Sequence, residues 1–403
     1  MDMSDLAINK LLYFKPFMMD EKVDEPGLLS APQGIKMDAP CRLMDRGNGN
    51  ISIHDLPIHN AVMPNGQRTP LLKTMLTSVC ENNCRYCAFS SRRDFKRETF
   101  IPDEMAKTFM AVYQKGIVEG LFLSSGMAGG GKRTQDRLLA AAEILRKKYK
   151  FMGYLHLKIM PGSDKGQVFQ AMRLADRVSI NLESPNQLRL NQLAPDKNFL
   201  DELLGPLRWV EEIRRNESSS KGWKGKWPSS TTQFVVGGVD ESDLELMTTS
   251  MYLMKSLKLG RVYYSKFRPV ENTPLENREP LNPWREHRLY QASFLIRDYG
   301  FDTEELPFLE GGNLPLEIDP KLAWARNNLL ENPIEINSAD YQTLIRIPGI
   351  GPKTAKRILD TRKREPLKSL DNLRNLGIPG QKAAPFILMM GNYQPRQLSL
   401  WNG

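Results

Sequence analysis

Residues 72–87 read LKTMLTSVCENNCRYC, an apolar, β-rich run that ends directly in three cysteines. Cys80, Cys84 and Cys87 are separated by three and then two residues, so one loop can wrap three thiolates around an iron–sulfur cubane. The chain has only one other cysteine, Cys41. Three thiolates for four irons leave one iron open to another ligand, which is the arrangement of a reactive centre rather than a structural one. The alternative reading of the same thiols is a structural zinc site completed by Cys41 or a histidine, although zinc ribbons favour two separated pairs of cysteines. The predicted cofactor is thus a 4Fe-4S cluster in a reducing compartment, since four cysteines in 403 residues make no disulfide framework.

The strand before the cysteines opens a countable rhythm. Apolar, β-rich runs fall at Leu72–Val79, Gly120–Leu123, Tyr154–Met160, Arg177–Leu182, Thr232–Val236 and Arg261–Phe267. Between them lie helical patterns. One starts at Pro102 and stops at Gly116, and a second is expected after Thr134 as N-cap. Others cover about 164–176, 198–214, 241–258 and 284–299. Alternation with short connections predicts a parallel sheet with helices outside, and six units predict a partial, open (β/α)6 barrel in an α/β protein. Functional residues are then expected at the C-terminal ends of the strands.

Four domains or segments follow: an irregular N-terminal extension at 1–70, the barrel at 71–300, a linker at 301–333 with a short helix near 320–330, and a second domain at 334–403. The charge is divided in the same way. Residues 321–403 hold 13 Lys/Arg against 6 Asp/Glu, a net of +7, whereas residues 1–320 hold 43 against 41. A basic tail calls for a polyanionic partner. No run of apolar residues is long enough for a membrane span, and the start lacks a secretory signal, so no membrane and a cytoplasmic location are expected.

With the Cys-x-x-x-Cys-x-aromatic-Cys spacing, in which Tyr86 is the aromatic, placed after the first barrel strand, the chain resembles the radical S-adenosylmethionine (SAM) superfamily. The resemblance implies that the open iron chelates SAM and that an electron donor such as flavodoxin or ferredoxin reduces the cluster. SAM cleavage then gives a 5′-deoxyadenosyl radical. Ser124-Ser125-Gly126 occupies the place of the Gly-Gly-Glu segment whose backbone meets the methionine amino group, with the acid missing. Ser179, Asn181 and Glu183 resemble the Asn-Leu-Glu segment that holds ribose and carboxylate, and alternation places them on one strand face. Lys158 is the candidate cation for the SAM carboxylate, beside His156, which reads as a satisfied interior histidine. Val236 and Gly237 resemble the segment that packs on adenine, and Arg268–Glu276 resembles the Pro-x-x-x-Thr-Pro-Leu-Glu ending of several members. Cys41 is a candidate hydrogen-atom donor or auxiliary ligand against the plainer reading of an inert buried thiol, and His54 and His59 are weaker metal candidates.

In the tail, Ile347-Pro348-Gly349-Ile350-Gly351-Pro352-Lys353 places a Gly-Ile-Gly turn between two helical patterns. Such a turn presents backbone N–H groups at a helix N-terminus, which binds phosphate, with Lys353, Lys356 and Arg357 adding charge. A second copy stands at Leu376–Ala383. The pair resembles the helix-hairpin-helix domain of DNA uptake and repair proteins, which predicts a small all-α domain that binds DNA; a protein-docking module is the alternative. Together the two parts resemble a family of prokaryotic DNA modification/repair radical SAM proteins, whose gene partner contains a uracil-DNA-glycosylase-like domain. An RNA-modifying enzyme and a non-catalytic DNA-binding iron–sulfur protein are the rival readings. Trp223 and Trp227, with Lys221, Lys224 and Lys226, are candidates to stack on a displaced strand at the barrel mouth, against the plain reading of a solvated loop.

Overall fold

In the computed structural model, residues 5–18, 56–62 and 68–394 are described. Cys41 and His54 lie outside them. Compactness divides the chain into one unit of residues 1–241 and 256–281 and a second of 242–255 and 282–403, a partition that differs from the one expected at 300 and 333.

The first unit holds α1 (Asp5–Met18), β1 (Ile58–Val62), β2 (Arg68–Met75), α2 (Pro102–Gln114), β3 (Gly120–Ser124), α3 (Gly131–Glu143), β4 (Tyr154–Lys158), α4 (Lys165–Leu174), β5 (Arg177–Ser179), α5 (Gln187–Leu193), α6 (Gly205–Asn216) and β6 (Ser229–Val236). After α7 (Asp243–Lys255), which belongs to the second unit, β7 (Arg261–Lys266) completes the sheet. Strand order in space is β1 to β7 without a reversal; β1 pairs antiparallel with β2, and β2 to β7 are parallel. Because right-handed crossovers that never change direction put their helices on one face, the sheet curls around the other face as an open half-barrel. The crossover helices pack in chain order, α2 on α3, α3 on α4 and α4 on α6.

Several local expectations are revised. The stretch expected to be irregular contains α1, which buries Leu11 and Phe14 and ties Lys10 to Glu104 at 2.7 Å, and β1 at the sheet edge. Thr134 is not an N-cap: α3 starts after Gly130, and the Thr134 hydroxyl, inside the helix, binds the Gly130 carbonyl. The fifth strand stops at Ser179 rather than Leu182. The Thr232 hydroxyl there donates to Ile180 O and accepts from Leu182 N, taking the place of ladder bonds. Trp223 lies 3.8 Å over the Arg146 guanidinium, which binds the carbonyls of Phe151, Gly153 and Leu174 just before β4 and β5. The tryptophan insertion therefore covers the N-terminal ends of the strands, away from the barrel mouth.

The second unit contains α8 (Pro283–Asp298), α9 (Pro320–Asn328), β8 (Ile334–Glu335), α10 (Tyr341–Leu344), α11 (Pro352–Arg362), α12 (Leu370–Asn375), α13 (Gly380–Ala383), β9 (Ile387–Met389) and β10 (Asn392–Tyr393). The helical tail thus carries a small three-stranded sheet as well. Ala325 and Leu329 of the expected linker share one buried cluster with Ile350, Ile358, Leu373 and Ile378, so that segment is part of the tail's core. Among the described residues, no helix is long and apolar enough to cross a membrane.

Candidate functional site

The cysteine loop follows β2 and is held from both sides. Arg97 donates to the carbonyls of Ser78, Phe89, Ser90 and Arg93, gathering the chain before and after the cysteines. Inside the loop, Glu81 N bonds Met127 O at 2.8 Å, and the Glu81 carboxylate accepts from Gly129 N and Gly130 N. Both glycines have positive φ, so their amides converge on one acceptor. From the far side, Arg85 N bonds Leu193 O, and Asn83 N bonds Asp196 Oδ2, each at 2.9 Å. Beyond β7, Glu271 O accepts from Arg93 Nε, and Leu275 packs with Tyr86 on a cluster of Leu193, Val235, Val239 and Phe267.

All three thiols are free. Burial first, and mutual repulsion after it, pushes the Cys87 thiol up to about 12; burial also pushes Cys84 up to about 11. Two thiols held protonated by their surroundings are suited to a cationic partner, because a coordinated thiol deprotonates outright. Among the described residues, no three His, Cys, Asp or Glu side chains meet about one ion position. Thiols spread along a loop fit instead a polynuclear cluster, in which each binds a different iron.

The expected SAM contacts separate into two groups. Ser124-Ser125-Gly126 lies against the cysteine loop: Gly126 N bonds Thr77 O at 2.7 Å, and a Cβ on Gly126 would stand 2.3 Å from Val79 O. Glu183 joins the same neighbourhood. It is buried with a left-handed φ of 64°, a strained conformation for a residue with a side chain. Its Oε1 accepts from Lys197 Nζ at 2.8 Å, and its Oε2 has no hydrogen-bond partner. Burial works against the Lys197 charge, but the neighbouring Cys84 and Glu183 charges hold the ammonium above its usual range. Burial, then Glu183 and the thiols, raises the Tyr86 hydroxyl.

Lys158, Ser179 and Asn181 form the second group, inside the half-barrel. Lys158 hydrogen-bonds Asn181, and His156 Nε2 pairs with Ser179 Oγ at 2.8 Å. Val236 ends β6, and Gly237 (φ 89°) closely approaches Leu281, 2.6 Å from where its Cβ would be. The sequence reading missed Glu81, Arg97, Lys197 and Glu241. Glu241 is a buried carboxylate that accepts from Gly237 N and Val239 N. Glu81, an acid between two cysteines, carried a local signal; Lys197, in a loop after a proline, carried none.

In the second unit the two hairpins share a glycine of positive φ followed by a buried isoleucine, but the first leads into an 11-residue helix and the second into one of 4 residues. Gly349 and Gly377 have φ of 84° and 73°, and Ile350 and Ile378 are both buried. Lys353, Lys356 and Arg357 are exposed on α11. Two details differ from expectation. Gly351 N is bound by Thr354 Oγ1 at 2.7 Å, and Arg357 Nη1 reaches Leu376 O of the second hairpin. Beside the hairpins, a cleft of about 770 Å³ is lined by Tyr299, Lys321, Arg326, Gly349 and Lys382.

Comparison with known proteins places this geometry. The radical SAM superfamily profile matches residues 74–220, and a helix-hairpin-helix profile matches 331–382. Residues 74–220 are a radical SAM domain. Among solved structures it is similar to methylornithine synthase (16% identity, TM-score 0.44), covering 56% of this chain and 61% of that one. It is likewise similar to the FeFe-hydrogenase maturase of Carboxydothermus hydrogenoformans (17%, TM-score 0.44, 56% and 51%). A third is a radical SAM methyltransferase from Sphaerobacter thermophilus (15%, TM-score 0.41, 57% and 68%). The chain spans about half to three-fifths of the first of these structures. No curated protein matches the chain. Members of the superfamily use a 4Fe-4S cluster and SAM.

Proposed function

We propose that this radical SAM enzyme modifies or repairs DNA, with Cys80, Cys84 and Cys87 holding a 4Fe-4S cluster and SAM bound at the open iron. When bound, these groups supply a 5′-deoxyadenosyl radical that removes a hydrogen atom from the substrate. The chain's own residues have separate tasks in this reading. Lys197 compensates the charge of Glu183 and the thiolates, and the unpartnered Glu183 Oε2 is the acceptor offered to SAM. Gly126, pressed against Val79 O, brings the backbone of Ser124 and Ser125 to the cysteine loop. Tyr86 and Leu275 keep one flank apolar and exclude water.

The DNA assignment is carried by one observation: a duplicated hairpin, each copy turned by a positive-φ glycine, the first followed by exposed Lys353 and Lys356 and the second by exposed Lys382, in a tail of net charge +7. Turns of this kind with exposed lysines beside them contact phosphates without reading bases, so binding is expected to be sequence-independent and steeply salt-dependent. A base inside a duplex is out of reach of a barrel, so the target must be flipped out or single-stranded. Fluorescence anisotropy with labelled duplex, single strand and RNA across a salt series tests the polymer. A Lys353→Glu/Lys356→Glu variant should bind DNA at least tenfold more weakly, and equal binding would leave the tail a protein-docking module. Mass spectrometry of DNA nucleosides from cells with and without the gene identifies the product; a change confined to RNA would move the assignment to RNA. The expected uracil-DNA-glycosylase-like partner and the flavodoxin or ferredoxin donor are part of the same proposal, checked by co-purification and by reduction of the cluster.

A further inference from the structure

The N-terminal helix α1 is tied down along its length. Leu11 and Phe14 are fully buried, the Phe14 ring stands 6.3 Å from that of Phe100, and Lys10 pairs with Glu104 of α2. With this anchoring, the C-terminal half of α1 is carried onto the chain that follows the cysteines. Tyr13 Oη donates to Lys96 O at 2.7 Å, and the Phe17 ring lies 4.7 Å from that of Phe89, two residues after Cys87.

Phe89 is held on all its parts. It is 9% exposed, and the Phe95 ring, 6.2 Å from its own, lies under the Arg97 guanidinium at 3.8 Å. Its carbonyl accepts from Arg97 Nη1 at 2.9 Å. Its backbone N–H donates to Cys87 Sγ at 3.4 Å. A donor aimed at a cysteine sulfur stabilises the negative charge there, and does so more when a bound cluster gains an electron. Hydrogen bonds to the sulfurs are one of the levers that set the reduction potential of an iron–sulfur cluster, and groups behind the ligands fix that geometry.

We infer that α1 is a positioning element for the cluster loop: Phe17, packed on Phe89, sets the Phe89 N–H on the Cys87 sulfur and so raises the reduction potential of the cluster held there. This role rests on the reading that Cys80, Cys84 and Cys87 hold a 4Fe-4S cluster, and is independent of the DNA assignment. Phe17 and Phe89 act through Cys87 and touch no reacting atom.

The test is a redox titration of the full-length protein, reconstituted without oxygen and free of SAM, followed by EPR of the reduced cluster. Phe17→Ala should lower the ratio of reduced to oxidised cluster at a fixed potential at least threefold, a midpoint lower by about 28 mV for a one-electron couple. Phe17→Leu keeps an apolar contact on Phe89; it should fall between Phe17→Ala and the wild type, and it carries the titration if Phe17→Ala assembles no cluster. Leu6→Ala, on the same helix at 66% exposure, should titrate as the wild type does. A second measurement needs no iron. Hydrogen exchange of the apoprotein, read by mass spectrometry on a peptide covering 88–95, should be at least fivefold faster in Phe17→Ala, with β3 and β4 unchanged. Phe17 variants that hold a cluster and titrate at or above the wild-type midpoint would overturn this role, and so would wild-type exchange over 88–95 in Phe17→Ala. Either result leaves the cluster reading standing, whereas a wild type that assembles no cluster removes that reading and this role together.

Discussion

Replacing Lys197 by Met isolates the contact that joins Glu183 to the cysteine loop. The ammonium and carboxylate are 2.8 Å apart, and their side chains are 9% and 5% exposed. Removing one member of such a pair leaves the other charge buried without compensation, which costs ~3–5 kcal/mol. An exposed pair in the same unit, Lys165 with Glu212 at 49% and 46% exposure, supplies the control, because such pairs contribute ~0–1 kcal/mol. Urea unfolding of the oxygen-free apoprotein, followed by far-UV circular dichroism, should therefore place Lys197→Met several-fold below Lys165→Met. The Lys197→Met/Glu183→Gln double variant should recover most of the loss, because the stranded carboxylate has become a neutral amide. Iron retained after reconstitution should fall in the single variant and return in the double. A single-variant loss under ~1 kcal/mol, or a double variant no better than the single, would refute the claim that the pair is a coupled buried unit.

Anaerobic reconstitution should give about four irons per chain and a reduced-state EPR signal that SAM alters; full assembly in Cys84→Ala, or a SAM-insensitive signal, would contradict the open iron. Gly126→Ala should lower SAM affinity, measured by calorimetry, because its Cβ would meet Val79 O at 2.3 Å and must displace backbone. Gly349→Ala should cost ~1 kcal/mol or more and weaken DNA binding, since φ is 84°, whereas Gly351→Ala, at φ −109°, should be far milder in the same anisotropy assay. Lys321 is a buried lysine that burial pushes down to about 7. The unfolded chain therefore binds more protons than the folded one between that value and about 10.5, so tail stability should rise with pH across this window. Lys321→Met should flatten that rise in urea titrations at pH 7 and pH 9.5.

The composition and spacing of the sequence determined the parts of this protein that are local in the chain. Three cysteines in eight residues after an apolar run, six strand–helix units, and two Gly-Ile turns in a basic tail are short-range patterns, and the structure keeps each of them. Element edges failed where a side chain from elsewhere took over a backbone group, as the Thr232 hydroxyl does at Ile180 and Leu182. The residues around the cysteines were decided by tertiary structure alone. Lys197 meets Glu183 across 14 positions of sequence, Asp196 meets Asn83 across 113, and Arg93 meets Glu271 across 178. No periodicity marks such partners, because each is selected by the curl of the sheet that brings its loop to the same end. The half-barrel's charge followed the same logic. Lys73 and Thr231 are ordinary strand residues in sequence, and only strand register sets them with Lys158 around one cavity.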